Sequence, residues 1–433
     1  MNFFGTDGIR GTYGSSTLND GTAFLLGKSL ALLGDDCPII VIGRDTRNSG
    51  ERLFQCLSQG IYDGGGNVIN LGVLPTNAVG HFVRKFGGDY GVMITASHNP
   101  PNDNGLKVFD RYGVKLCTAK QKVVSAMMSG QSARAFTPQK LFEPVFYDIQ
   151  NIYAEDVTRA IDVNLEGLRV ALDCCYGASY RVATKVFEKV GASVTAHCDT
   201  LCGDKINVNC GATHTEFLQS KLVGGNFHLG FAFDGDCDRV AVFEGEKFVP
   251  NNKVFYAICK YLKEKSALKK NTVVGTVLTN GGVESALKNI GITLLRSDVG
   301  DTNVFNLMAK NGLNFGGEES GHYLMCDYAT TADGIINALF VAKIFKEKGS
   351  ILQYARECTD LPYLSKSIPL TDKNIALAEE KSLEQIALQL KKLYPDCRMV
   401  LRKSGTEPKI RAYIEGSNAF SAMQNVVATL SCL

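Results

Sequence analysis

Short apolar runs alternate with amphipathic stretches along most of the chain. The first apolar runs cover residues 38–43, 67–72 and 90–94, and the stretch at 49–64 has the pattern of a helix. Short apolar runs that are bounded by turn residues are typical of buried strands. Strands that alternate with helices indicate a largely parallel sheet with helices packed on it.

The same alternation restarts twice. The second unit contains predicted strands at 168–173, 193–196 and 229–233 with a helix at 179–190, and the third contains strands at 272–277 and 292–295 with a helix at 283–289. We interpret the pattern as three α/β units of about 100 residues each, a common domain size. The three sequences resemble one another too weakly to prove an internal repeat.

The pattern changes after about residue 361. A long amphipathic helix is predicted at 376–393, and the runs at 397–401 and 411–415 have the character of antiparallel strands. We therefore predict an α/β protein of four domains. They are three α/β domains with mixed, mostly parallel sheets at 1–148, 149–250 and 251–361, and a smaller α+β domain at 362–433.

The composition is that of an ordinary globular protein. The 433 residues are 45% hydrophobic and 21% charged, and the net charge of +2 is too small to indicate a nucleic acid or an anionic membrane as a partner. No apolar run is long enough to span a membrane, and residues 1–7 include no basic region followed by an apolar stretch. We therefore expect a cytoplasmic protein whose 14 cysteines are reduced thiols.

One group of cysteines invites comparison with zinc sites. Cys198, Cys202 and Cys210 lie near His197 and His214, but the group lacks the paired ligand spacing of a zinc site. We interpret these cysteines as ordinary buried or surface thiols.

The strand predicted at 90–94 runs directly into a polar segment at 95–100, with the sequence TASHNP. Ser97 thus lies at the carboxyl edge of the sheet, where α/β proteins bind ligands. A serine hydrolase is disfavoured, because the Gly-x-Ser-x-Gly motif is absent and because adjacent side chains such as Ser97 and His98 diverge in an extended segment. On its own, the segment is compatible with a nucleophilic serine or with a polar turn.

Three aspartates follow the strand predicted at 229–233. Asp234, Asp236 and Asp238 alternate with small residues, which places the three carboxylates on one side of the segment. Carboxylates this close repel one another unless a positive group lies between them. Clustered oxygen ligands suit Mg²⁺, and the spacing excludes an EF-hand. The sequence therefore predicts a metal site, with an acidic surface turn as the alternative.

Two further loops carry side chains that suit a sugar phosphate. In the segment at 316–322 (GGEESGH), Glu318 and Ser320 could bind sugar hydroxyls, and His322 could titrate near neutrality. The segment at 402–411 (RKSGTEPKIR) combines hydroxyls, a glycine and cations, which suits a phosphate. Turns without a ligand are the alternative for both segments. Together, the four segments indicate a phosphorylated sugar bound between four domains.

The four segments, in this order, resemble the signatures of the α-D-phosphohexomutases, and the similarity extends from Phe4 to about Gly416. The segments at 4–11 (FGTDGIRG), 206–214 (INVNCGATH) and 327–334 (DYATTADG) are similar to one bacterial branch of that family. For that branch, the resemblance implies conversion of glucosamine 6-phosphate to glucosamine 1-phosphate, for UDP-N-acetylglucosamine and peptidoglycan precursors. Phosphomannomutases and phosphoglucomutases of the same family are the alternative, and a phosphosugar-binding regulator is the alternative outside it.

The resemblance implies an intramolecular phosphotransferase with a heart-shaped subunit, a central cleft and a possible homodimer. It also implies one Mg²⁺ per chain and glucosamine or glucose 1,6-bisphosphate as intermediate or activator. The implied metal ligands are Ser97, in its phosphorylated form, Asp234, Asp236 and Asp238. The implied catalytic residues are Ser97, Arg10, His98, Asn99, Lys107, Arg239 and His322, and the implied substrate-binding residues are Glu318, Ser320, Arg402, Ser404, Gly405, Thr406 and Arg411.

Arg10, Lys107 and His322 are the candidates for acid–base work, and Lys107 would need a lowered pKa to act as a base. One position departs from the family, because residue 237 is Cys where the family usually has Gly. A Cys at a backbone angle that is open only to Gly would be strained.

Overall fold

The computed structural model describes residues 3–5, 7–130, 148–371, 375–404 and 408–431. Within these residues the strands form sheets of five, five, four and three strands. No helix among the described residues is long and apolar enough to cross a membrane. The predicted fold class, with mixed sheets in three α/β units and a smaller last unit, is confirmed.

The first unit contains the predicted strands and helix and two strands that were not predicted, β1 and β5. Its elements are β1 (Ile9–Thr12), α1 (Asp20–Leu33), β2 (Ile39–Arg44), α2 (Gly50–Asp63), β3 (Asn67–Val73), α3 (Thr76–Phe86), β4 (Tyr90–Ile94), β5 (Asp103–Asp110) and α4 (Thr118–Gly130). The sheet order is β1-β5-β4-β2-β3, in which β4, β2 and β3 are parallel and β5 and β1 run antiparallel to their neighbours.

The second unit contains α5 (Ile149–Ile161), β6 (Arg169–Asp173), α6 (Val182–Lys189), β7 (Ser193–His197), α7 (Glu216–Leu222), β8 (Leu229–Phe233), β9 (Val240–Glu244) and β10 (Lys247–Val249). Its sheet order is β10-β9-β8-β6-β7. The helix predicted from residue 179 begins only at Val182, because Arg181 has φ of +60° and cannot belong to a right-handed helix.

The third unit contains α8 (Asn251–Glu264), β11 (Thr272–Thr276), α9 (Gly281–Asn289), β12 (Thr293–Ser297), α10 (Asp301–Asn311), β13 (Phe315–Glu318), β14 (His322–Met325), α11 (Gly334–Lys348) and α12 (Ile351–Tyr354). Its sheet order is β12-β11-β13-β14.

The three sheets share one topology. Each has three parallel strands followed by an antiparallel one, in the orders β3-β2-β4-β5, β7-β6-β8-β9 and β12-β11-β13-β14. The repeat that the sequence could not prove is therefore visible in the strand order. It makes the β4–β5, β8–β9 and β13–β14 connections equivalent positions of the three units.

The central strands are apolar because both faces of the sheets are covered. Every residue of β4 and of β8 is buried, and one hydrophobic core extends through the first three units. Helix α11 lies in that core and is capped by Asp333, whose carboxylate accepts the backbone N–H groups of Ile335 and Ile336 at 2.8 and 3.1 Å.

The fourth unit has its own core and an antiparallel sheet in the order β15-β17-β16. Its elements are β15 (Tyr363–Pro369), α13 (Glu380–Leu393), β16 (Arg398–Lys403), β17 (Lys409–Glu415) and α14 (Ala419–Ser431). The antiparallel pairing of β16 with β17 is confirmed. The predicted helix start at residue 376 is wrong, because a separate 3-10 turn at Ile375–Ala378 precedes α13.

Candidate active site

The three equivalent connections carry three of the four predicted segments. Ser97 lies between β4 and β5, the aspartates lie between β8 and β9, and Ser320 lies between β13 and β14. Each segment follows the third parallel strand of its sheet, at the carboxyl edge. The three units also meet here, since the Thr76 N–H of the first unit donates to the carbonyl of Asp236 in the second, and the Val240 N–H of the second unit donates to the carbonyl of Gly321 in the third.

Ser97 is buried and points at the aspartates. Its Oγ donates to a carboxylate oxygen of Asp234 at 2.8 Å and lies 3.4 Å from Nδ1 of His98. The expected divergence of Ser97 from His98 is wrong, because Ser97 has φ of +53° and the segment turns instead of running extended. Burial is the main cause that lowers the pKa of His98 to about 4, so its imidazole is neutral at pH 7.

Arg47 holds the backbone of the Ser97 segment, and it was not predicted. It is fully buried, and its guanidinium donates to four backbone carbonyls and to the carboxylate of Asp45. The carbonyls are those of Ser97 at 2.9 Å, Asn99 at 2.8 Å, Asp103 at 2.9 Å and Pro100. A planar guanidinium with several fixed donors suits such a set of acceptors.

Asn207, from the second unit, supports the same backbone. Its side-chain N–H group donates to the carbonyls of Ser97 and Asn99 at 2.8 and 3.0 Å. The side-chain amide of Asn99, which is a predicted catalytic residue, donates to Asp103 at 3.0 Å. This hydrogen bond stabilises the turn that contains both residues. Asn207 was also not predicted as a site residue.

The three aspartates form one buried cluster. Carboxylate oxygens of Asp234, Asp236 and Asp238 lie within 4.8 Å of one another. Nζ of Lys107 lies 2.8 Å from Asp236 and 3.0 Å from Asp238. This ammonium is the positive group that the clustered negative charges require. Thr76 donates a further hydrogen bond to Asp236 at 2.6 Å.

The surroundings of the cluster shift the pKa values of Asp234 and Asp238 in opposite directions. Burial, together with the charges of Asp238 and Asp236, raises the pKa of Asp234. Burial also opposes ionisation of Asp238, but the charges of Lys107 and His322 outweigh it and hold the pKa of Asp238 well below its usual range.

The carboxylates fit a hard divalent cation. Oδ1 of Asp236 and Oδ1 of Asp238 are buried without a hydrogen-bond partner, although a buried polar atom normally has one. Both atoms belong to the cluster of carboxylates, and oxygen ligands are those that Mg²⁺ prefers. The acidic triad is therefore compatible with a metal site.

Lys107 does not have the lowered pKa that a general base would need. Burial alone would lower it, but the charges of Asp236, Asp238 and Asp7 raise the pKa of Lys107 well above its ordinary value. In this arrangement Lys107 is a fixed positive charge.

His322 lies between two carboxylates. Its Nδ1 is 3.6 Å from Asp238 and its Nε2 is 3.4 Å from Asp301. Burial opposes protonation, but the charge of Asp238 and then Asp301 raise the pKa of His322 to about 8. Asp301 also pairs with Lys115, which pairs in turn with Asp7. Asp7, Lys115 and Asp301 were not predicted.

The two predicted arginines flank the cluster. Arg10 pairs with Asp7 at 3.1 Å. The backbone N–H of Arg239 donates to Asp234 at 3.1 Å, and its Nε lies 3.9 Å from Asp238 and has no hydrogen-bond partner. Both arginines therefore line the acidic cluster.

In the third segment, Glu318 accepts the backbone N–H of Gly300 at 2.9 Å. The hydroxyl of Ser320 is buried and without a partner. Burial raises the pKa of the neighbouring Glu319, which accepts a hydrogen bond from Thr276. Ser320 thus retains a hydrogen-bonding group that is not used within the described residues.

In the fourth segment, Arg402 and Arg411 lie directly opposite each other on β16 and β17. Burial and then the charge of Arg411 lower the pKa of Arg402, while Glu319 and Glu318 of the third segment act in the opposite direction. The backbone N–H of Ser404 donates to the carbonyl of Lys409 at 2.8 Å. The predicted binding residues Gly405 and Thr406 lie outside the described residues.

The chain matches the models of all four domains of the phosphoglucomutase/phosphomannomutase family. The matches cover alpha/beta/alpha domain I at residues 1–134, domain II at 151–247, domain III at 250–360 and the C-terminal domain at 367–429. Among solved structures, a family protein from Burkholderia thailandensis has a TM-score of 0.81 at 21% identity and covers 99% of this chain and 97% of its own.

The N-acetylphosphoglucosamine mutase of Aspergillus fumigatus was solved in complex with GlcNAc-6P and magnesium. It has a TM-score of 0.62 at 17% identity, over 82% of this chain and 91% of its own. Phosphoglucosamine mutases from Clostridium botulinum and Carboxydothermus hydrogenoformans are each 38% identical to the chain, over 96% of it and 95% of their own length. The chain therefore belongs to the phosphoglucomutase/phosphomannomutase family, the α-D-phosphohexomutases, on the branch of the phosphoglucosamine mutases.

Proposed function

We propose that the chain is a phosphoglucosamine mutase, which interconverts glucosamine 6-phosphate and glucosamine 1-phosphate through a phosphorylated Ser97. One observation carries the proposal: the Ser97 hydroxyl is hydrogen-bonded to Asp234 within a buried cluster of three carboxylates and a lysine. The sugar is taken from the relatives that are 38% identical over nearly the whole chain. In the cell, the proposed location is the cytoplasm.

In this proposal the Ser97 segment acts as a fixed carrier. Arg47 and Asn207 hold its backbone carbonyls, so the position of Oγ is set by buried donors of two units. Lys107 supplies a fixed positive charge beside the phosphoryl group. Such positioning and charge compensation are the main needs of phosphoryl transfer.

Asp234, Asp236, Asp238 and an oxygen of phosphorylated Ser97 would hold one Mg²⁺ per chain. When bound, the ion supplies positive charge that offsets the charge developing on the phosphoryl oxygens. The buried oxygens of Asp236 and Asp238 without partners support this assignment.

Proton transfer is assigned to His322. With a pKa of about 8, His322 has both protonation states within reach near neutral pH. Its neutral imidazole can take a proton from the sugar hydroxyl that attacks, and the imidazolium formed can donate that proton to the sugar oxygen that leaves in the return transfer. Asp238 and Asp301 hold the ring from both sides.

Substrate binding is assigned to the third and fourth segments. Glu318 and Ser320 would bind sugar hydroxyls, and Arg402, Ser404, Gly405, Thr406 and Arg411 would bind the phosphate that is not being transferred. Transfer from Ser97 gives a 1,6-bisphosphate, which reorients so that its other phosphate returns to Ser97. Glucosamine 1,6-bisphosphate is thus the intermediate, and added glucose 1,6-bisphosphate could charge Ser97 in the same way.

The test compares turnover of glucosamine, mannose and glucose 6-phosphates at equal concentrations, with the 1-phosphate product measured directly. We expect the glucosamine substrate to give the highest kcat/KM. A higher kcat/KM for mannose or glucose would show a phosphomannomutase or phosphoglucomutase instead.

The carrier role of Ser97 is tested by intact mass and activity. Ser97→Ala should lose the phosphoryl mass and nearly all mutase activity, while Ser220→Ala, at an exposed serine that bonds within α7, should keep both. Full activity of Ser97→Ala would contradict the mechanism. A phosphosugar-binding regulator would show no isotope exchange between the 1- and 6-phosphates.

A further inference from the structure

A cluster of thiols lies behind the Ser97 segment, at the carboxyl edge of the second sheet. The Sγ atoms of Cys198 and Cys210 and a carboxylate oxygen of Asp173 lie within 4.8 Å of one another. The thiol of Cys175 lies beside this group and donates to the backbone carbonyl of Cys210 at 3.7 Å. Asp173, Cys175 and Cys210 are buried, and Cys198 is half-buried.

The strand order explains why these residues meet. Strands β6 and β7 are parallel neighbours, and their last residues, Asp173 and His197, lie side by side. Cys175 and Cys198 follow those ends directly. Both have left-handed backbone angles, with φ of +56° and +52°, which turn their side chains back toward the sheet edge.

The loop that carries Cys210 is packed closely on this edge. Gly211 has φ of +83°, and a Cβ at this position would lie 2.3 Å from Sγ of Cys175. The backbone N–H groups of Gly211 and Cys175 donate to the carboxylate of Asp173 at 2.6 and 3.0 Å. Backbone contacts therefore hold the carboxylate of Asp173 and keep the loop of Cys210 against the sheet edge.

The charges around the cluster leave it without a positive group. The strongest influences on the three thiols are burial, one another, and the negative charge of Asp173, and all of these favour the protonated thiols overall. Neutral, buried thiols are poor nucleophiles, which disfavours a redox or catalytic role. A soft divalent cation would supply the missing positive charge, and sulfur with one carboxylate is a donor set that Zn²⁺ accepts.

We propose that Asp173, Cys198 and Cys210 form a binding site for a soft divalent cation such as Zn²⁺. On binding, the thiol protons of Cys198 and Cys210 pass to solvent and the two sulfurs become thiolate ligands. Zn–S distances of about 2.3 Å place neighbouring sulfurs about 3.8 Å apart in a tetrahedron, so the two sulfurs, which lie within 4.8 Å of each other, need to close by about 1 Å at most.

Spacing along the chain gave no reason to select Cys198 and Cys210, because their partner Asp173 comes from a strand end well before them in the chain. In the described residues the cluster includes neither Cys202 nor His197. The His197 ring packs edge-on against Phe217.

Two hydrogen bonds connect the neighbouring Cys175 to the Ser97 segment. The Cys175 thiol donates to the side-chain carbonyl of Asn207 at 3.1 Å, and Asn207 donates to the carbonyls of Ser97 and Asn99. Cys210 lies in the same loop as Asn207, so a cation bound to Cys210 would also fix the position of Asn207. It would act as a structural ion that positions the Ser97 segment, separate from the aspartate cluster.

The test uses the full-length chain, stripped of metal under reducing conditions, and Co²⁺ as the probe. Thiolate ligands to Co²⁺ give a charge-transfer absorption in the near ultraviolet, to which the aspartate cluster cannot contribute because it has no sulfur. We expect one Co²⁺ per chain with this absorption, and its loss when Zn²⁺ is added. Binding to Cys198→Ser and Cys210→Ser should weaken at least about 100-fold, beyond the usual effect of losing an outer-shell partner.

Cys202→Ser is the matched control, because Cys202 is a nearby half-buried cysteine outside the cluster. It should bind Co²⁺ as the wild type does. Wild-type protein without a charge-transfer absorption, or equal binding by Cys198→Ser and Cys202→Ser, would overturn the proposal.

A measurement on the wild-type protein tests the proposal even if the cysteine variants fail to fold. Zn²⁺ should protect Cys198 from alkylation and leave Cys202 reactive, as read from the masses of the modified peptides. Equal reactivity of Cys198 with and without Zn²⁺ would also overturn the proposal.

Discussion

Cys237 occupies a backbone position that suits glycine. Its φ is +59°, in the left-handed region that costs an L side chain about 1–2 kcal/mol. Its side chain is also fully buried in the core of the first three units. We expect Cys237→Ala to destabilise the protein by about 1 kcal/mol, because it keeps the strain and loses the packing of the sulfur. Cys237→Gly should be more stable than Cys237→Ala by about 1 kcal/mol, as urea unfolding would measure.

Cys174 provides the control for this prediction. It is equally buried, but it is not among the residues with positive φ. Cys174→Gly should be less stable than Cys174→Ala, because Gly relieves no backbone strain at this position and loses more chain entropy on folding. The same order of Ala and Gly at both positions would show that Cys237 is not strained.

Arg47 is predicted to set the rate through the geometry of the Ser97 segment. Arg47→Lys keeps the charge but loses the planar fork that reaches four carbonyls, so kcat should fall at least about tenfold, the effect of about 1.4 kcal/mol in the transition state. KM should change little, because Arg47 is fully buried and its donors are all used within the protein. Arg44→Lys, on a partly exposed pair with Glu51, should leave kcat unchanged. Equal kcat values for the two variants would exclude the positioning role.

Ser97 and the three aspartates lie in loops that follow apolar strands. Ser97 and the three aspartates are recognisable because a buried strand aims them at the carboxyl edge. Arg47 and Asn207 were missed because their acceptors lie 50 and 110 residues away in the chain. The one available signal was a charged pair, Asp45 and Arg47, just after β2.

At the scale of elements, buried strands such as β4 and β8 could be predicted from the sequence and the exposed strand β15 could not. The strands β2, β4 and β8 are apolar runs because both faces are covered. Strand β15 was missed because it is largely exposed at the edge of the last sheet, so its sequence has no apolar run. The shared strand order of three sheets depends on pairing between distant segments, which local patterns do not encode.

We predict that the placement of Arg402 for phosphate binding lowers the stability of the β16–β17 pair. Arg402 and Arg411 are opposite one another, and like charges in that position destabilise a sheet. Nε of Arg402 is also buried without a partner. Arg402→Gln should therefore leave stability unchanged or raise it by up to about 1 kcal/mol, while KM for the sugar phosphate rises at least about tenfold, with the loss of about 1.4 kcal/mol of binding.

Unfolding by urea, with and without inorganic phosphate, separates the two effects. Phosphate should stabilise the wild type more than Arg402→Gln. Lys366→Gln, at an exposed cation on β15, is the control and should respond to phosphate as the wild type does. A large loss of stability in Arg402→Gln would show that Arg402 has a structural role.

At the scale of the whole molecule, a polar contact region among the described residues joins the fourth unit to the third. Arg398 pairs with Glu415 at 2.6 Å and donates to the carbonyl of Thr279, and the N–H of Gly281 lies 3.1 Å from both oxygens of Glu415. The fourth unit has a separate core. A unit with its own core and a polar contact can move as a body, and the proposed reorientation of the bisphosphate needs such a movement.

Glu415 is predicted to control this docking through its charge. Burial would raise its pKa, but hydrogen bonds from Arg398 and Tyr413 hold the pKa of Glu415 below its usual 4.5. The stabilisation from these bonds is therefore complete above pH 4.5 and is lost as pH falls through the lowered pKa. The part of it that acts on docking comes from the N–H of Gly281 and from Arg398, which Glu415 holds where it donates to the carbonyl of Thr279. Glu415→Gln should weaken docking by about 2 kcal/mol at pH 7, because it removes the charge from hydrogen bonds of the charged type.

Calorimetry and kinetics test this together. In Glu415→Gln the fourth unit should unfold in a separate, earlier transition at pH 7, and KM should rise because the phosphate-binding segment is held less often against the third unit. The wild type should show the same separate transition only in acid. Asp396→Asn is the control, because Asp396 also has a lowered pKa but bonds only to Ser417 and Asn418 within the fourth unit. If Asp396→Asn and Glu415→Gln separate the transitions equally, the effect belongs to the stability of the fourth unit and the docking role of Glu415 is wrong.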